Sequence, residues 1–326
     1  MIIDAHAHTN GGNLGNFKAG LLASRAFTTG HFQQDEESLR RAVNNHATNT
    51  LAKVGTDVQF ISPRPFQLMH SEKPVKLVHY YAEASNEVNK MSVQIDPVHY
   101  RAVACMPQSP YEPVTAWLPE LERRVKEDGF IGCLINPDPL EGEGHYPGMG
   151  DESWFPLYEK MVELDVPGLI HSGTTKNPWD YYQNYFITTE TSCILQMSEH
   201  KVFDTFPNLK IIVSHGGGSI PYQIGRWRSL FDRTFHLDFD ECLSKFYFDT
   251  VLYNPESIEF LVKMVGSERC LFGTENPGTG SSMNKKTGRT YDDTKPWIDG
   301  LTGITDADRA NIYENTARKI FTRFKD

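Results

Sequence analysis

The sequence predicts an α/β fold, a (β/α)8 barrel of the TIM type. Three observations carry this. Short apolar runs, each closed by a polar or turn residue, recur along the chain. Stretches with helical periodicity separate them. There are eight such runs in 326 residues, a length that one large barrel fills. No internal repeat, low-complexity tract or Ser/Gly linker divides the chain, so residues 1–326 are read as a single domain.

The runs justify themselves in order. Residues 2–5 lead straight into His6-Ala7-His8. Residues 57–62 end at Ser62-Pro63-Arg64, 101–106 at Met106-Pro107-Gln108, and 131–135 at Asn136-Pro137-Asp138. Residues 167–171 close on His171-Ser172-Gly173, and 210–214 on His215 before three glycines. Residues 246–250 end in Asp249-Thr250, and 270–274 run into Glu275-Asn276. Helices are expected over 35–52, 77–91, 112–128, 153–165, 188–206, 219–232, 255–266 and 304–322. Two long excursions, 9–34 and 276–296, leave the first and last strands. Loops of that length in a compact domain are functional or mobile, so both are expected to cover a site and exclude water.

A barrel places its chemistry at the carboxyl ends of its strands. Side chains alternate along a strand, so His6 and His8 share one side and supply half of a metal site. His171 is the expected third ligand. Glu275 is the fourth, or a carboxylate that shares a proton with water at the ion. Three or four nitrogen and oxygen ligands with an open position describe a catalytic zinc, with manganese the alternative. Such an ion lowers the pKa of its water toward neutrality. His215 is assigned as general acid/base, with ligation as second choice, because its pKa lies near the working pH. The glycines after it let backbone approach a ligand closely. Arg64 is shaped for a carboxylate clamp. Asn136, Ser172, Tyr222 and His70 complete the expected substrate contacts, with Lys176 and Arg289 weaker choices.

Composition excludes other classes. The net charge of −10 with no basic patch argues against nucleic acid or an anionic membrane. No apolar run is long enough for a membrane span. The start lacks a basic region followed by an apolar one, so no secretory signal is read. The five cysteines are scattered with no Cys-x-x-Cys, which fits a reducing cytoplasm and neither a disulfide framework nor a cysteine-type zinc module. A small-molecule carboxylate is the expected partner, and a homo-oligomer, a dimer or larger, the expected assembly.

The His-x-His after strand one, the histidines after strands five and six and the acid after strand eight together resemble the amidohydrolase superfamily over nearly the full chain. The His215-Gly216-Gly217-Gly218 turn and the closing Asn315-Thr316-Ala317-Arg318 stretch narrow this to its second family. That branch holds muconate-semialdehyde decarboxylases, aromatic-acid decarboxylases and 4-oxalomesaconate hydratases. Similarity to the hydratases rests on Ser62-Pro63-Arg64, 106–110, 136–139, 158–167 and 291–295. It also rests on glutamate, where decarboxylases carry aspartate, at position 275. The segments 172–177 and 276–279 depart from that pattern, and they face substrate. The resemblance implies that His6, His8, His171 and Glu275 hold zinc while His215 assists proton transfer. It implies a lyase that adds water to an unsaturated oxo-di- or tricarboxylic acid from aromatic ring cleavage. A non-oxidative decarboxylase is the alternative, and a lactone or amide hydrolase the second alternative.

Overall fold

Eight short apolar segments form eight parallel strands whose spatial order is their chain order. They are β1 (Ile3–His8), β2 (Val58–Ser62), β3 (Tyr100–Cys105), β4 (Gly132–Ile135), β5 (Gly168–Ile170), β6 (Ile211–Val213), β7 (Phe246–Asp249) and β8 (Cys270–Leu271). The computed structural model describes residues 1–25 and 31–325. Nearly every strand residue is buried, as expected when helices cover one side and a filled interior the other. Backbone hydrogen bonds close the sheet between its first and last strands. Ala5 N donates to Phe272 O at 2.8 Å, and Thr274 N and Glu275 N donate to His6 O at 3.2 and 2.7 Å. The result is a (β/α)8 barrel.

Asp4 pins this seam. Its carboxylate accepts from Thr274 Oγ1 at 2.6 Å, Thr274 N at 3.1 Å and Gln59 Nε2 at 2.9 Å, so one side chain ties β1 to both neighbours. Burial pushes its pKa up to about 6, against the pull of those hydrogen bonds.

The outer helices follow from apolar stripes and caps. In Glu36–His46, Leu39 and Val43 face inward and Asp35 caps the start by accepting from Glu37 N and Ser38 N. In Phe155–Leu164 the inward stripe is Leu157, Tyr158, Met161 and Leu164. Pro255–Val265 begins with proline after an Asn254 cap, which accepts from Ser257 N. No helix among the described residues is long and apolar enough to cross a membrane. The five cysteines are unpaired.

Three expectations change. β1 runs through His8 instead of ending at Ala5, because His8 still pairs with Ser62. The register slips between Asp4 and Ala7, where β1 carries one residue more than β2. Such bulges re-aim side chains next to sites. The helix expected from 188 starts at Tyr182. The excursion 9–34 is not a loop throughout: Leu14–Ser24 is helical, with Leu14 and Leu21 buried one heptad apart. Its glycines pack inward, Gly11 against Leu39 and Ala42 and Gly12 against Val88, and none of its described residues lines the cavity over the strand ends. Residues 26–30 of that excursion lie outside the described residues.

Candidate metal centre and active site

The strand ends bring His6, His8, His171 and Glu275 together. One ligand atom from each lies within 4.8 Å of all the others, and all four residues are buried. The ring centroids of His6, His8 and His171 are 5.0 to 5.4 Å apart.

Hydrogen bonds give the three imidazoles the same tautomer. His6 Nδ1–H donates to Asp249 Oδ2 at 2.6 Å. His8 Nδ1–H donates to Ser62 Oγ at 3.1 Å, which itself donates to Ala7 O. His171 Nδ1–H donates to the Ser172 carbonyl at 2.8 Å. Each ring therefore presents a bare Nε2 to the common centre. The Nε2 atoms of His6 and His171 are buried without a hydrogen-bond partner. Unpartnered buried nitrogens around one point, each oriented from behind, fit a divalent cation. Burial holds His8 well below the usual histidine range and lowers His171, which keeps both neutral as ligation requires. Burial alone would raise the Glu275 carboxyl. The His171 and His215 rings, 3.6 and 3.5 Å from its Oε1, hold it well below its ordinary range instead, so it is an anion.

His215 is built differently. Its Nδ1 lies 2.9 Å from Glu190 Oε2 and its Nε2 lies 3.5 Å from Glu275 Oε1. Burial opposes charging the ring, but the two carboxylates prevail and raise its pKa well above the ordinary value. Both nitrogens carry protons, so His215 donates where the other three rings can accept an ion. The turn that carries it needs left-handed backbone at His215 and at Gly216, Gly217 and Gly218. A Cβ at Gly217 would stand 2.8 Å from the Phe248 ring, and one at Gly218 would stand 2.4 Å from Ile187 O.

A cavity of about 430 Å³ opens over the cluster, lined by His8, Arg64, His171, Tyr182, Glu275 and the segment 277–281. The last confirms that the excursion after β8 walls the site. A larger cavity of about 540 Å³ lies at the opposite end of the barrel beside Lys210, Lys245 and Arg269, remote from the imidazoles. Arg64 is half-buried in the wall, and among the described residues it has no ion-pair partner.

The other expected contacts divide. Asn136 is buried with Nδ2 unpartnered, and His70 is buried with both ring nitrogens unpartnered. Both stand within 4 Å of where a Cβ on Gly173 would be, beside Pro65 of the cavity wall. Ser172 spends its hydroxyl on Thr189 and its carbonyl on His171. Tyr222 does not join them. It is 81% exposed on a separate groove with Leu252 and Phe260, because it falls on the outer side of the helix Ile220–Leu230. Lys176 pairs with Glu72 and Arg289 faces Asp293. Sequence reasoning missed Glu190 and Tyr253 and gave Asp249 no role. Glu190 had a signal, since it falls on the buried stripe of the helix Tyr182–Glu199 with Phe186, Ile194 and Met197. Tyr253 had none.

The amidohydrolase family profile matches residues 3–323. The chain is 33% identical over 330 residues to 2-keto-4-carboxy-3-hexenedioate hydratase of Sphingobium sp. (strain NBRC 103272 / SYK-6), covering 99% of this chain and 96% of the relative. It is 27% identical to 2-amino-3-carboxymuconate-6-semialdehyde decarboxylase of Dictyostelium discoideum, over 68% of this chain and 63% of that one. Among solved structures, 4-oxalomesaconate hydratase from Rhodopseudomonas palustris superposes with a TM-score of 0.89 at 29% identity, covering 99% of this chain and 96% of that one.

Proposed function

Because the chain belongs to the amidohydrolase family, we propose that residues 1–326 act as one metal-dependent hydratase domain. It adds water to an unsaturated oxo-di- or tricarboxylic acid of the kind that aromatic ring cleavage yields. His6, His8, His171 and Glu275 would hold the ion, and zinc is the ion proposed, with manganese the alternative. When bound, it supplies Lewis acidity, which acidifies coordinated water and polarises a substrate oxo group.

The chain's own groups do the rest. The observation that carries this reading is Glu275 Oε1, which faces the ligand cluster and lies 3.5 Å from His215 Nε2. The same oxygen can therefore accept a proton from water while His215 Nε2–H delivers one to the carbon that does not receive hydroxyl. Glu190 holds His215 in its donating form. Arg64, a cation in the cavity wall with no ion-pair partner among the described residues, receives a substrate carboxylate. Asn136 and His70, with unpartnered buried atoms, receive a further polar arm. Ser172 orients His171 rather than substrate.

The decarboxylase reading is favoured by one observation, the similarity to the Dictyostelium enzyme, and it would use the same proton donor to replace CO2. The test is to incubate zinc-loaded protein with 2-keto-4-carboxy-3-hexenedioate. Loss of the conjugated ultraviolet band with uptake of one water by mass supports hydration. Release of one CO2 establishes the alternative, and an unchanged substrate rejects both for this compound.

A further inference from the structure

We propose that Tyr253 is a positioning residue that decides which oxygen of Glu275 faces the metal. The proposal rests on the reading of His6, His8, His171 and Glu275 as the ligand set, and is independent of whether the reaction is hydration.

The two carboxylate oxygens of Glu275 have different surroundings. Oε1 lies 3.6 Å from His171 Nε2, 3.5 Å from His215 Nε2 and 4.0 Å from His8 Nε2. Oε2 accepts the hydroxyl of Tyr253. A phenol at neutral pH is protonated, so toward a carboxylate it can only donate. One oxygen is thus occupied by a fixed donor while its twin is turned to the imidazoles. A carboxylate held this way presents one oxygen to an ion instead of two, and leaves a coordination position open.

Two further observations show the backbone arranged around this contact. Tyr253 has φ +55°, in the left-handed region that bulky residues avoid, and so do Glu275 at φ +59° and His215 at φ +52°. Strained backbone of this kind persists where the surrounding structure enforces it, and it clusters at functional sites. The ring also needs a glycine beside it. A Cβ on Gly280 would stand 2.6 Å from Tyr253 Cε1 and 2.7 Å from Cζ. The segment that walls the cavity therefore has room for the phenol only because residue 280 lacks a side chain.

The experiment uses the full chain. Zinc affinity is measured by competition with a chromophoric chelator for wild type, Tyr253→Phe and Gly280→Ala, together with circular dichroism and the melting temperature of the metal-free forms. Tyr253→Phe keeps the ring and removes only the hydroxyl. Gly280→Ala keeps the hydroxyl and displaces the ring. The expected result is a loss of zinc affinity of about 10- to 100-fold in both, with unchanged circular dichroism and metal-free melting temperature for Tyr253→Phe. Where a substrate is turned over, kcat falls for Tyr253→Phe while KM holds. Zinc affinity within twofold of wild type in Tyr253→Phe overturns the proposal, and that variant alone decides if Gly280→Ala does not fold. A wild-type chain that binds no zinc overturns the ligand set as well, which separates the two failures.

Discussion

Asp249→Asn preserves the size of a buried side chain and changes which proton His6 carries. Asp249 Oδ2 accepts His6 Nδ1–H at 2.6 Å, and Oδ1 accepts Val251 N at 3.1 Å and Gly216 N at 3.4 Å. An asparagine must keep its oxygen on the two backbone donors. Its NH2 then faces His6 Nδ1, which has to accept, and the ring proton moves to Nε2. That atom is the one that would ligate. Disturbing the partner behind a ligating histidine costs about 10- to 100-fold in metal affinity, or about 1.4–2.7 kcal/mol. With zinc at about 100 times the wild-type Kd, binding adds about 2.7 kcal/mol to wild-type stability, and about 0.4 kcal/mol to a variant that binds about 100-fold more weakly. For a chain of 326 residues the difference of about 2.3 kcal/mol corresponds to about 3 °C in melting temperature. Thermal unfolding with and without zinc reads it directly, and chelator competition gives the affinity. A folded Asp249→Asn protein with the full wild-type zinc-induced shift would refute the tautomer argument.

His215→Asn should keep zinc stoichiometry, measured by elemental analysis, while turnover falls about 10²- to 10⁴-fold through loss of the proton donor. Arg64→Met should raise KM by about 10- to 100-fold with a smaller change in kcat, as expected for a charge-assisted contact made before and during reaction; steady-state kinetics separates the two. His70 is buried and its pKa is lowered to about 3, chiefly by burial. The unfolded state then binds more protons than the native state between pH 3 and pH 6.5. Its contribution to stability is complete above pH 6.5 and is lost as pH falls, by about 2 kcal/mol between pH 7 and pH 5. Urea midpoints across that range should fall more steeply for wild type than for His70→Gln, whose side chain does not titrate. Chelation should abolish turnover and lower the melting temperature, and added zinc should restore both. Recovery of turnover with manganese alone would change the ion assignment.

The barrel was legible because each strand is a self-contained apolar run, and burial on both sides leaves little room for another reading. His6, His8, His171, His215 and Glu275 were legible for a related reason: a strand's last residues point into the mouth whatever the loops do. Partners that arrive from a helix are harder to read. Glu190 reaches His215 because Tyr182–Glu199 packs against the His215–Gly217 turn, and the pairing depends on a helix rotation that local periodicity does not specify. Tyr253 depends on one left-handed residue between β7 and the following helix. Tyr222, expected among the substrate contacts, lies on a helix that turns its side chain outward, an orientation that residue type does not specify. Leu14–Ser24 was hidden by the glycine and asparagine residues that precede it, and its helix rests on packing against Lys76–Ile95.

The closing hydrogen bonds from Thr274 and Glu275 to His6 bring together residues far apart in the sequence. His6, His8, His171 and Glu275 are distributed over most of the 326 residues, so no short stretch of the chain carries the set by itself. An ion held by this set would be bound tightly only once the cylinder shuts, so its binding would report on contacts between sequence-distant segments.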